Sequence, residues 1–296
     1  MNNVIEVIDL KKHFGTYTVI DGLSFQIKEG DFFGLLGRNG AGKSTLINVL
    51  TGVYHLSSGN YKVFDVDFHH LDKVKHRIGV MPDISNLYND MNSYEFIKYM
   101  ASLKGISITR KEILQLMENV GLENSLNLKI KNFSFGMKKK ICIAQAILGN
   151  PTLIFLDEPT SGVDPESIIK LQNLFIEMNK IGTTILIASH NLQEIQKLCN
   201  KLAILKSGKF AVNGELDTII DSYSSKKVFL EVENYTNEKL GHILSGKNYT
   251  ISENGINVEY SEKEEVPLLV EQLVQNEIRV YSVERQKATL EEIFMQ

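Results

Sequence analysis

The chain has 296 residues, 43% of them hydrophobic, with 32 basic and 36 acidic side chains and a net charge of −4. That length buries a sizeable core in more than one lobe, and the lack of a basic field argues against nucleic acid as a partner. No apolar run approaches the roughly 18 residues of a membrane span, the opening MNNVIEVIDLKK lacks a signal peptide's hydrophobic centre, and Cys142 and Cys199 have no metal-ligand spacing. The expectation is a cytosolic protein whose cysteines are packing residues.

After a β-rich opening, the apolar run Phe32 to Leu36 predicts a strand, and Leu46, Val49 and Leu50 predict a helix. Between them Gly37 to Ser44 fit G-x-x-x-x-G-K-[ST], in the strand–turn–helix context that a phosphate loop requires. Gly37, Gly40, Ala41 and Gly42 let the backbone wrap polyphosphate, so that N–H groups from Asn39 to Thr45 point inward at a helix N-terminus. Lys43 adds a cation toward the β and γ phosphates, and the Ser44 hydroxyl is a hard ligand for Mg²⁺.

A mostly helical insert follows from 88 to 149, carried by Tyr94, Ile97, Met100 and Ala101, then Ile113, Leu116, Met117 and Val120. Ser134 is placed as the N-cap of a helix whose buried face is Ile141, Ile143, Ala144 and Ile147. The run Lys138 to Lys140 reads as a solvated helix face. Leu153 to Leu156 form an apolar run without alternation that ends in two acids, Asp157 and Glu158. Beside a phosphate loop, Asp157 is expected to meet Mg²⁺, directly or through water, and Glu158 to polarise the attacking water. Ile168 to Met178, Thr184 to Ser189, Leu192 to Leu198 and Leu202 to Leu205 then alternate helix and strand, as a parallel sheet covered on both faces requires.

Ser222, Ser224 and Ser225 read as a polar linker that separates residues 4–221 from an accessory domain, 226–296. The latter has the order β-α-β-β-α-β, which predicts a ferredoxin-like split fold of about 70 residues. It contains no catalytic cluster. Internal repeats and low-complexity tracts are absent from the sequence, and it has one phosphate loop.

The phosphate loop, FSFGMKKK (Phe133 to Lys140), LIFLDEP, SGVDP (Ser161 to Pro165) and ASH, which ends in His190, together resemble the nucleotide-binding subunits of ABC transporters, most closely the drug, lantibiotic and polypeptide exporter branch. The resemblance covers residues 4 to about 215 in motif order, and ATLEEIFMQ is similar to C-termini of that branch. It implies a P-loop NTPase cassette, a RecA-like core plus helical subdomain, that hydrolyses ATP with Mg²⁺. Two copies would close head to tail, so that Ser134, Phe135, Gly136 and Met137 of one face the γ-phosphate held by the other, with Ser161 and Asp164 at the seam. His190 would contact the γ-phosphate, Phe14 would stack on adenine, and Arg38 and Asn39 would belong to the ATP-binding loop. A transmembrane permease subunit would be the other partner, with the chain peripheral on the inner face of the cell membrane. Leu87, Tyr88 and Met91 read either as a docking patch for that subunit or, in the first instance, as ordinary internal packing.

Three departures stand out. Asp83 replaces the usual Gln that touches Mg²⁺, keeping an oxygen ligand while losing the amide donor. Phe135 and Met137 replace a glycine and a polar residue of the signature, which implies weaker closure around phosphate. Val163 for Leu is a small change. Other readings are a soluble ATP-driven regulator, whose relatives usually carry two cassettes or a coiled-coil insertion, and an importer cassette.

Overall fold

The computed structural model describes residues 2–252, 254–286 and 288–295. Two long strands open the chain, β1 (Asn3–Phe14) and β2 (Tyr17–Lys28), and pair antiparallel. β3 (Phe32–Leu36) follows and leads into α1 (Lys43–Leu50). β4 (Ser58–Val63) and β5 (Val66–Asp67) complete a four-stranded antiparallel sheet of order β2-β1-β4-β5.

The second sheet takes β3 and adds β6 (Ile78–Val80). The chain then leaves for three helices, α2 (Ser93–Leu103), α3 (Arg110–Asn119) and α4 (Phe135–Ile147). α2 and α3 each start with a capping box, Asn92 with Glu95 and Thr109 with Glu112, which satisfies first-turn donors that would otherwise be unpaired. The chain returns through β7 (Leu153–Asp157), α5 (Pro165–Lys180), β8 (Thr184–Ser189), α6 (Leu192–Leu198), β9 (Lys201–Lys206) and β10 (Lys209–Glu215). The resulting order is β10-β9-β3-β8-β7-β6, parallel from β9 to β6 with β10 antiparallel at the edge.

Both faces of β3 are covered, which is why its sequence does not alternate. Phe33 and Leu35 join one core with Leu46, Val49 and Leu50 of α1 and with Ile5, Ile20 and Phe25 of the antiparallel sheet. On the other face Gly34 leaves room for α6: a side-chain carbon there would stand 2.9 Å from Cys199 Sγ and from Ile195. At the far edge α4 presses on β6 so closely that a Cβ on Gly79 would overlap the Ala146 carbonyl oxygen.

The chain separates into two compact units, Met1–Leu216 and Asp217–Gln296. The break falls earlier than the serine cluster suggested, so nearly all of α7 (Leu216–Tyr223) is grouped with the second unit. Ser224 supplies a physical reason, because its hydroxyl accepts the Ala288 N–H at 2.8 Å instead of standing free in a linker. The second unit continues with β11 (Lys227–Glu233), α8 (Asn237–Ile243), β12 (Tyr249–Ser252), β13 (Gly255–Glu259), α9 (Glu265–Gln275), β14 (Arg279–Arg285) and α10 (Leu290–Met295). Its sheet is antiparallel with order β12-β13-β11-β14, the ferredoxin-like arrangement, and α8 and α9 bury Leu240, Leu269 and Leu273 in one core with Val228, Leu230, Ile256 and Val258.

Of the docking candidates, Leu87 is internal packing at 5% exposure and only Tyr88 is exposed, its ring packing against Tyr99 and Phe96. One expectation is corrected here. The lysine run is not simply a solvated face: Lys140 is buried and Lys139 donates to a backbone carbonyl in the site described below.

Gly79→Ala should destabilise the protein by about 3 kcal/mol, because backbone and not a flexible side chain blocks the added methyl. A urea midpoint equal to that of the parent would show that α4 is not pressed against β6. Burial pushes the Cys142 thiol up to about 12 and the Cys199 thiol well above its usual range. At about pH 8 neither thiol should be ionised enough to react while the protein is folded, and both should react in denaturant. Rapid labelling of the native protein would contradict that packing.

Candidate active site

The phosphate loop is shaped from behind by strand β9. A Cβ on Gly37 would lie 2.8 Å from the Leu205 carbonyl oxygen, so only glycine allows this approach. Gly42, the N-cap of α1, has φ 108°, a region that side-chain-bearing residues rarely enter. It contributes no capping side chain, so the first-turn N–H groups of Lys43, Ser44 and Thr45 lack an acceptor within the helix. They border a cavity of about 330 Å³ lined by Tyr17, Val19, Asn39, Gly40, Gly42, Lys43, Ser44, Thr45, Asp157 and Glu158. Gly37, Arg38 and Ala41 support that wall without lining it, with the Ala41 N–H donating to the Arg38 carbonyl at 3.1 Å. Lys43 is nearly buried, at 6% exposure; its Nζ donates to the Gly37 carbonyl at 2.7 Å and stands 3.3 Å from Glu158 Oε1.

Strand β7 delivers the two acids to the same cavity. Asp157 Oδ1 and Glu158 Oε1 are buried side-chain oxygens without a hydrogen-bond partner, and the Lys43–Glu158 approach is a charge contact without hydrogen-bond geometry. Burial raises the Asp157 carboxyl above its ordinary value, helped by the charge of Glu158, while the Ser44 hydroxyl pulls it back. Glu158 itself has φ 48°, an uncommon left-handed conformation for a glutamate, held by its N–H donating to Ala188 at 2.9 Å. Its Oε2 lies 2.7 Å from Nδ1 of His190, so the ends of β7 and β8 bring the two catalytic candidates into hydrogen-bond contact.

These donors fit a hard cation. Asp157 Oδ1 is an orphaned buried oxygen, and the Ser44 side chain borders the same space, a set suited to Mg²⁺ that takes its remaining ligands from phosphate and water. Among the described residues no group of three or more His, Cys, Asp and Glu forms a cage, so protein alone would not complete the shell. Asp83 stands apart from this set. Its carboxylate caps a turn by accepting the Ser85 N–H at 2.7 Å and does not line the cavity. The Ser85 hydroxyl and then that N–H, with the nearby charge of Lys139, hold it below the usual carboxylate range.

The signature and seam residues form a different surface. Ser134 caps α4 by accepting the Met137 N–H at 3.2 Å, and Phe135 is 49% exposed; none of Ser134, Phe135, Gly136 and Met137 lines the cavity. They meet the segment after the acids instead. A Cβ on Gly136 would be 3.2 Å from the Gly162 carbonyl oxygen, and the Phe135 ring covers Gly162. Lys140 Nζ is 3.8 Å from Asp164, whose carboxylate caps α5 through the Ser167 N–H at 2.9 Å. Lys139 Nζ donates to the Glu158 carbonyl at 2.9 Å and ties α4 to the acid's main chain. The Ser161 N–H also points to that carbonyl, at 3.4 Å.

Phe14 is not among the residues lining the cavity. Its ring makes an edge contact with Tyr54 at 5.5 Å, with the Lys12 ammonium 4.4 Å from its centroid, and the aromatic that lines the wall is Tyr17 at the start of β2. Tyr17 carried a signal, an exposed-type aromatic three positions beyond Phe14. Lys139 was hidden among equivalent lysines, and nothing in the sequence distinguished it.

Residues 20–161 match the family model described as ABC transporter, and residues 214–296 match the C-terminal domain of DrrA1-3-like ATP-binding proteins. The chain is 32% identical over its whole length to the uncharacterized ABC transporter ATP-binding protein YhcH of Bacillus subtilis, covering 96% of that protein. It is 31% identical, again over its whole length and 97% of the relative, to the bacitracin transport ATP-binding protein BcrA of Bacillus licheniformis. A solved ATP-binding subunit of an ABC transporter superposes with a TM-score of 0.68 at 29% identity, over 74% of this chain and 93% of that one. A phosphate loop facing two half-buried acids, on this sheet and in these relatives, identifies the chain as a member of the ABC transporter ATP-binding proteins, a family of ATP-hydrolysing cassettes.

Proposed function

We propose that this chain powers an exporter of a peptide or antibiotic by hydrolysing ATP at a seam between two copies of itself, while a separate transmembrane permease carries the cargo. The observation that carries the two-copy reading is the division of the motifs into two surfaces. The cavity wall holds the phosphate loop, Asp157 and Glu158, whereas Ser134 to Met137 lie with Gly162 and Asp164 elsewhere on the same unit. A signature that serves a phosphate must then serve one held by another copy. The export direction and cargo class rest on the relative named for bacitracin transport and on the DrrA1-3-like C-terminal domain. No helix among the described residues is long and apolar enough to cross a membrane, and this reading assigns the crossing to a separate permease, with the chain on the membrane's inner face.

The free N–H groups at the start of α1 take the phosphate oxygens, and Lys43 turns from Glu158 and the Gly37 carbonyl toward the β and γ phosphates. Asp157 and Ser44 would hold Mg²⁺, which would supply positive charge to offset that of the phosphates. Glu158, released from Lys43, accepts a proton from the attacking water, and His190 holds that carboxylate through Oε2 while contacting the γ-phosphate. Tyr17 and Phe14 both lie toward the start of the chain from the loop and offer rings to the base. Of these two, Tyr17 has the stronger geometric claim, because it lines the cavity. Closing and reopening of the two copies moves the permease.

Lys43→Ala should weaken ATP binding about 100-fold, near 2.7 kcal/mol, as read by calorimetry or fluorescent-nucleotide titration. Unchanged affinity would discredit the cavity as the nucleotide site. Glu158→Gln should bind ATP normally, cut turnover by at least about 100-fold and accumulate as a dimer with ATP on a sizing column. Hydrolysis by that variant at the parent rate would sink the assignment of the base.

A further inference from the structure

Glu194 is a buried carboxylate, 2% exposed, in the first turn of α6, and none of the chemistry above uses it. An acid there normally serves the helix dipole, but that end of α6 is already capped, because Asn191 Oδ1 accepts the N–H groups of Gln193 and Glu194. The Glu194 side chain turns inward instead. Oε1 accepts the Thr160 hydroxyl at 2.8 Å, and Oε2 accepts the Ser189 hydroxyl at 2.7 Å. Thr160 lies two residues past Glu158, and Ser189 immediately precedes His190. One carboxylate therefore spans the segments that follow β7 and end β8, which present Glu158 and His190 to each other. Burial raises its carboxyl and the two hydroxyls oppose that rise, so a group that is costly to bury is retained where two short bonds depend on it.

We propose that Glu194 is a positioning residue for ATP hydrolysis, a two-point clamp whose bonds to Thr160 and Ser189 fix the approach of Glu158 to His190. The inference rests on reading those two residues as the hydrolytic pair. Glu158 sits in a left-handed conformation that its local chain does not favour, so its carboxylate needs outside support to hold a 2.7 Å contact with an imidazole that is itself largely exposed. The clamp acts through the main chain on both sides of that contact. The phosphate loop, on β3 and α1, is not part of it, so nucleotide affinity and turnover are predicted to separate.

The test measures kcat, KM, ATP affinity and melting temperature for Glu194→Ala, Glu194→Gln, Thr160→Val, Ser189→Ala and His190→Ala, alone and with Glu194→Ala combined with His190→Ala. Glu194→Ala should lower kcat about 10- to 100-fold with ATP affinity within about twofold of the parent. Glu194→Gln, which keeps the shape and one acceptor oxygen, should recover part of that loss. The double variant should be no slower than His190→Ala alone, since both changes undo one contact. Parent-like kcat in Glu194→Ala, parallel loss of kcat and affinity, or multiplicative losses in the double variant would each overturn the clamp. If Glu194→Ala does not fold, Thr160→Val and Ser189→Ala decide the matter: lower kcat at retained affinity supports the clamp, and parent kcat in both overturns it. Parent-rate hydrolysis by Glu158→Gln would remove the base reading separately, while the coupling between Glu194 and His190 would still be measured.

Discussion

One nearly buried ammonium holds the site together. Lys43 cannot stand unpaired at 6% exposure, and its partners belong to two strands: the Gly37 carbonyl at the end of β3 and the Glu158 carboxylate just beyond β7. β8 lies between those strands in the sheet, so the lysine reaches across the carboxyl ends of the parallel strands, the side of such a sheet where ligands bind. The same ammonium that keeps loop and acid in register is the group that a triphosphate would take over. On the proposed reading, occupancy of the loop and freedom of Glu158 would be coupled through one charge.

Around that charge the fold arranges two surfaces with opposite needs. The cavity has surplus: N–H groups without acceptors at the start of α1, and carboxylate oxygens without donors on Asp157 and Glu158. The start of α4 is locally satisfied, with Ser134 capped onto Met137 and with Lys139 and Lys140 fastened to the Glu158 carbonyl and to Asp164. Lys139 matters because it links the helical segment to the main chain of Glu158 within one copy. Phe135 approaches Gly162 so closely that a Cβ there would stand 2.6 Å from its ring, so the chain's own glycine accommodates the bulky side chain.

Much of this was legible from local pattern. The apolar runs at Phe32 to Leu36, Leu153 to Leu156 and Thr184 to Ser189 mark strands buried on both faces, and each is a strand of the parallel sheet. The β-α-β-β-α-β order of the C-terminal lobe was enough for its topology, because hairpins and short crossovers leave few alternatives. For Leu87 the pattern left surface and core both open, because an apolar residue in a turn reads as either, and the structure shows core. Ser224 was misplaced because a serine's preference for linkers does not reveal a partner 64 positions away.

The sequence by itself determined which chemistry is present: a glycine-rich turn with Lys43 and Ser44, two acids ending an apolar strand, and a histidine ending another. Those are choices of residue type at short spacing, and local backbone geometry gives them meaning. Only the tertiary structure decided which groups touch: that His190 meets Glu158, that Tyr17 and not Phe14 lines the cavity, that Asp83 caps a turn, and that Glu194 bridges Thr160 and Ser189. Such contacts join residues far apart in the chain, and hydrogen bonds of about 3 Å depend on the register and packing of whole strands and helices, which no short stretch of sequence encodes.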